Sequence, residues 1–208
     1  TPHFATPLSM RIDRQGRLWV LDFADFGRGQ PRITAFDVET RKLVHQYDFP
    51  KEVAGFLSML NDFAVSPDGR RVYIAESSPI AQTPALVVYD VEAKTSRRLL
   101  ESHPSVLPEN YILTAAGRDM VVLGVYTLRI GVDSITLDRR GEWLYYAPVN
   151  GDRMFRVPAA ALDDPPRDGG VALRLTSLGD RVSSARLKID RAPLSVASPR
   201  GLDVVGAV

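Results

Sequence analysis

The sequence predicts an all-β protein, a β-propeller of four-stranded antiparallel blades, incomplete here at about three blades plus a stub. Three observations carry that expectation. A strand–turn–strand unit recurs three times, its landmarks return at a common offset, and helix-forming stretches are scarce. Four strands repeating at about fifty residues mark a propeller. A β-sandwich whose hairpins resemble one another by accident is the alternative.

The first unit opens with Ser9-Met-Arg-Ile-Asp-Arg-Gln-Gly-Arg-Leu-Trp-Val-Leu-Asp22, a short alternating strand, a polar turn and an aromatic strand. The second is Asn61-Asp-Phe-Ala-Val-Ser-Pro-Asp-Gly-Arg-Arg-Val-Tyr-Ile-Ala-Glu76, and the third runs from Asp133 to Pro148. Gly16, Gly69 and Gly141 close the turns, where a glycine supplies the positive φ of a bulged hairpin. A second hairpin follows each first one, starting at Ile33–Thr40, Leu86–Ala93 and Arg153–Pro158. Gly16 and Gly69 lie 53 residues apart, and so do Asp37 and Asp90. In the third unit the glycine-to-aromatic spacing shrinks from 20 to 14 residues, so its connecting loop is shorter.

The units are expected at about 4–58, 59–131 and 132–180, with a stub at 181–208, in one domain. Leu99–Leu113 reads as a loop over one face and Met120–Arg129 as an extra or displaced strand. Ala159–Leu162 could form one helical turn, which Pro166 would stop. In the stub, Ser184–Asp190 looks like a first strand, but no turn glycine follows it. An unclosed propeller leaves open sheet edges, which invite self-association.

Composition narrows the function. The net charge of +1 argues against a nucleic-acid partner, and no apolar run is long enough to span a bilayer. There are no cysteines, hence no thiolate metal site or thiol nucleophile. The chain begins at Thr1 rather than methionine, which reads as processing or as a piece of a longer protein.

Several stretches resemble the major royal jelly/yellow protein family. They include Gly16-Arg-Leu-Trp-Val-Leu-Asp22, Phe36-Asp-Val38, Leu60-Asn-Asp-Phe-Ala-Val65, Leu86-Val-Val-Tyr-Asp90, and Gly131–Leu137 running on to Leu144-Tyr-Tyr-Ala-Pro148. They occur in family order over roughly residues 4–180. The resemblance implies a six-bladed ring, of which this chain would hold half to two thirds. It also implies a small organic ligand in the central cavity and a secreted or periplasmic location.

In a propeller the start of each innermost strand points at the central channel. Those positions are Ser9, Asn61, Asp62, Asp133 and Ser134, with Ser184 and Ala185 in the stub. Gluconolactonase-type propellers are similar and hold a divalent ion there. By that resemblance Asn61 and Asp133 are candidate calcium ligands, and a Ca²⁺-dependent lactonase-like hydrolase is the alternative function. The competing explanation is that Asn61, Asp62 and Asp133 satisfy backbone groups at the strand starts. A third function is a non-catalytic protein-interaction scaffold.

Asp22 and Asp25 could face a cavity or form a solvated loop pair. Tyr146 could line a ligand pocket, although core packing suits its strand pattern. His3, His45 and His103 lack metal-ligand spacing, and His45 reads as exposed. Arg97-Arg98 and Arg139-Arg140 read as solvated hairpin edges, and Gly27-Arg-Gly29 lacks the third glycine of a dinucleotide loop. No catalytic residue is assigned.

Overall fold

The computed structural model describes residues 3–115, 117–122, 126–163 and 176–177. Each repeat folds into one antiparallel sheet whose strands pair in chain order. The first joins β1 (Pro7–Ile12), β2 (Arg17–Asp22), β3 (Arg32–Asp37) and β4 (Leu43–Asp48). The second joins β5 (Leu60–Val65), β6 (Arg71–Glu76), β7 (Ala85–Asp90) and β8 (Thr95–Leu99). After the long connection and two small hairpins, β13 (Val132–Leu137), β14 (Trp143–Pro148), β15 (Phe155–Pro158) and β16 (Thr176–Ser177) form the third. The protein is a partial β-propeller. The stub at 181–208 lies outside the described residues.

Gly16, Gly69 and Gly141 adopt φ of +74°, +71° and +74°. They hold the hairpin turns that the repeat predicts.

Packing explains the strand compositions. One core joins the first two sheets through Trp19, Leu21, Ile33 and Ala35 against Phe63, Val72, Ile74 and Val87. Another joins the second and third through Tyr73, Ala75, Leu86 and Val88 against Ile135, Leu144, Tyr146 and Val157. The middle sheet is covered on both faces. Its strand β7, Ala-Leu-Val-Val-Tyr-Asp, is therefore buried almost throughout instead of alternating.

Between the sheets the connections are tightly fitted. Gly131 N–H donates to Ser77 O at 3.0 Å, and a Cβ there would lie 2.5 Å from Pro84 Cβ and 2.7 Å from Val106 O. A short helix, Ala159–Asp163, follows β15 where one helical turn is expected.

Three expectations are corrected. Met120–Arg129 is not one strand: β9 (Thr114–Ala115) pairs with β10 (Arg118–Asp119), and β11 (Val121–Val122) with β12 (Tyr126–Thr127). His45 is half-buried, its Nε2 lying 2.6 Å from Tyr89 Oη across the first two sheets, and burial lowers its pKa. The Arg97-Arg98 pair is not solvated. Arg97 donates to Leu162 O at 2.6 Å and to Asp163 O, and Arg98 enters a buried ion pair with Glu76.

Candidate functional site

The inner strands share a local irregularity that gathers the candidate residues. From Pro7 to Ser9, β1 advances two residues while its partner advances one, from Asp22 to Leu21. The same step occurs in β13 between Val132 and Ser134, and an extra residue enters β5 between Leu60 and Phe63. Each is a bulge, which bends the strand and re-aims side chains. Aligned by register, Leu8, Asn61 and Asp133 are equivalent, as are Ser9, Asp62 and Ser134. The polar groups thus stand on adjacent bulges of the second and third sheets.

Their electrostatics differ. Asp62 accepts from Arg11 Nη2 with both oxygens, at 2.7 and 2.6 Å, and from Phe63 N–H at 2.8 Å. Burial nonetheless raises its pKa, outweighing the amide and the guanidinium. Asp133 is pushed up to about 6, first by burial and then by the charge of Asp62. Among the described residues its carboxylate makes no hydrogen bond or ion pair, and the side chains of Asn61 and Ser134 make no hydrogen bond. Asp133 thus stands beside a carboxylate that already holds the Arg11 guanidinium.

Calcium takes six to eight oxygen ligands. Among the described residues no group of three or more His, Cys, Asp or Glu side chains is placed to hold a metal. Asn61 and Asp133 supply two side chains, and Asp62 beside them is held by Arg11. The described residues do not by themselves fit a divalent ion. Ser184 and Ala185 lie outside the described residues.

The model for the major royal jelly protein family matches residues 6–192, nearly the whole chain. The chain belongs to the major royal jelly protein family. It is similar to major royal jelly protein 3 of Apis mellifera, at 27% identity over 165 residues, covering 74% of this chain and 28% of that protein. Major royal jelly protein 7 of the same organism is 28% identical over 160 residues, covering 72% and 34%. The chain thus spans about a third of the length of these relatives. Among solved structures, the β-propeller domain of the trilobed protease from Pyrococcus furiosus is 10% identical with a TM-score of 0.43, covering 77% of this chain and 42% of that one.

In this family member the remaining candidates are engaged elsewhere. Asp22 is 1% exposed and accepts from the amides of Ala5, Thr6 and Ala24 at 2.7–2.9 Å. It pins the strand start to a left-handed turn, Ala24–Gly27, whose φ values are all positive. Asp25, in that turn, pairs with Arg28 at 3.3 Å, both side chains exposed. Tyr146 is buried at 1% in the second core and stacked on Phe155. Its hydroxyl lies 2.9 Å from Ser105 Oγ, which lies 2.9 Å from His103 Nδ1. Burial pushes its pKa to about 12. That chain of contacts fastens the long connection to the third sheet.

Glu76 escapes sequence reasoning, although a signal was present. It ends β6 as Asp22 ends β2, and it accepts from Met59 N–H at 2.9 Å as Asp22 accepts from Thr6. In the third sheet Pro148 holds that position, and buried Asn150 takes over, its Oδ1 accepting from Ile130 N–H at 2.9 Å.

Proposed function

We propose that this propeller binds a small organic cation at the mouth formed by Asn61, Asp62, Asp133 and Ser134. The observation that supports it most is the Asp133 carboxylate, which has no partner among the described residues and stands beside a second carboxylate. A half-buried charge without a partner is costly, and an ammonium group would relieve that cost. Asn61 and Ser134 are free to orient the rest of the ligand. No helix among the described residues is long and apolar enough to cross a membrane. A secreted or periplasmic carrier is the setting this reading favours.

An ammonium ion prefers the ionised form of Asp133, whose pKa is about 6. Affinity should be full above that value and fall below it, so that binding at pH 5 is about tenfold weaker than at pH 7.5. Calorimetric titration of a panel of small primary amines against alcohols of the same shape checks this. A flat pH profile, equal binding of the alcohols, or undiminished binding by Asp133→Asn would sink the reading. If millimolar calcium instead raises the melting temperature, a metal site replaces it.

A second reading, a surface for protein association, rests on the first sheet. Met10 is 60% exposed, while the equivalent Phe63 and Ile135 are 0% and 6% exposed. Ile12 beside it is 66% exposed. Cores of the other sheets bury this face, so it suits another sheet, such as that of a second copy. Light scattering should then show concentration-dependent association that Met10→Asp abolishes. A strict monomer at every concentration counts against it.

A further inference from the structure

The far ends of the same inner strands carry the opposite charge. Arg14 lies in the turn after β1, and Arg139 and Arg140 lie in the turn after β13. Although Arg14 and Arg139 are 125 residues apart in the chain, Arg14 Nη2 donates to Arg139 O. The three arginines line a depression of about 770 Å³.

Their placement is fixed by interlocking turns. Gln15 Nε2 donates to Pro67 O of the middle sheet's turn at 3.0 Å. On the other side, a Cβ at Gly141 would lie 2.4 Å from Pro67 Cδ. Asp13 and Asp138, in the turns that carry the arginines, are turned inward. Asp13 Oδ1 accepts from the amides of Gln15 and Arg17, and its Oδ2 from Arg17 Nε and Trp19 Nε1. Asp138 Oδ1 accepts from the amides of Glu142 and Trp143 at 2.7 and 3.1 Å. Within the described residues, Glu142 is the one carboxylate paired with the cluster. It lies 3.9 Å from Arg140, and both side chains are largely exposed.

We propose that these three arginines form a site for a small multivalent oxyanion bearing phosphate or sulfate groups. Guanidinium forks match such groups with paired, charge-assisted hydrogen bonds. Guanidiniums converging from two turns could grip two anionic groups of one ligand. The sequence shows only the Arg139-Arg140 pair; the fold adds Arg14. The site lies a six-residue strand away, roughly 20 Å, from the Asp133 mouth, so the two fail independently.

The test is calorimetric titration of the whole chain at about 0.15 M salt with tripolyphosphate and, in a parallel arm, sucrose octasulfate. At least one should bind, and whichever does identifies the group. Arg139→Gln/Arg140→Gln and Arg14→Gln should each weaken binding about tenfold or more. Arg28→Gln/Arg153→Gln, which removes two exposed arginines elsewhere, should stay within about twofold, as should Asp133→Asn. All variants are checked for unchanged circular dichroism. If neither anion binds, if the cluster variants bind as tightly as the parent, or if the control pair loses as much, the proposal is overturned.

Discussion

Asp133→Asn should melt about 2–8 °C above the parent protein at pH 7.5. The folded state pushes the Asp133 carboxyl from 3.8 to about 6, and each unit corresponds to about 1.4 kcal/mol. Solvent reaches part of the group, so the ceiling of about 3 kcal/mol is discounted to about 1–2 kcal/mol. For a chain of this size each kcal/mol moves the melting point by about 2–4 °C. The sign follows from proton linkage. The folded protein holds this proton more tightly than the unfolded chain does. The penalty is therefore complete above pH 6, shrinks as pH falls through 6, and is gone below 3.8. The neutral amide never carries it. Melting curves at pH 7.5 and 3.5 should show a gap at the first pH and none at the second. A variant that melts below the parent at pH 7.5 would mean the carboxylate serves the fold. The same substitution should abolish amine binding, so stability would rise as function is lost.

How much of this was legible in the sequence depends on the range of each contact. The hairpin glycines act within a few residues, so Gly16, Gly69 and Gly141 were readable, and with them the blade repeat. The candidates Asn61, Asp62 and Asp133 were readable as oxygen-bearing strand starts. Which of them is free was not, because Arg11 reaches Asp62 across 51 residues of chain. Arg98 looked solvated because its partners, Glu76, Val53 and Thr83, sit on other segments. His45 looked exposed because the ring it meets, Tyr89, belongs to the next sheet. Met120–Arg129 misled in another way. Its apolar residues suit a strand, but the chain turns back within it to pair β11 with β12. The carboxylate shared by Asp22 and Glu76 was there to be found by aligning the ends of the second strands.

Arg98→Ala should have the larger effect, a loss of about 3–5 kcal/mol. Glu76 is 1% exposed, and burial raises its pKa against the pull of the Met59 amide, Arg98 and Ser58. Arg98 donates to its Oε2 at 3.1 Å, to Val53 O at 2.8 Å, and to Thr83 O and Glu101. Truncation leaves a buried carboxylate without its countercharge and two carbonyls without a donor, which is the costly way to break such a pair. Arg98→Lys should recover only part, since one ammonium cannot reach all four acceptors. Arg28→Ala, which breaks an exposed pair with Asp25, should cost less than about 1 kcal/mol. Urea unfolding compares the three, with an unchanged denaturant slope as the condition for reading stability directly. The loss in Arg98→Ala should also narrow as the pH is lowered, because Glu76 can then take up a proton and shed its unpaired charge. A loss that is small, or that grows on acidification, would mean that Glu76 is held by its amide and hydroxyl donors alone.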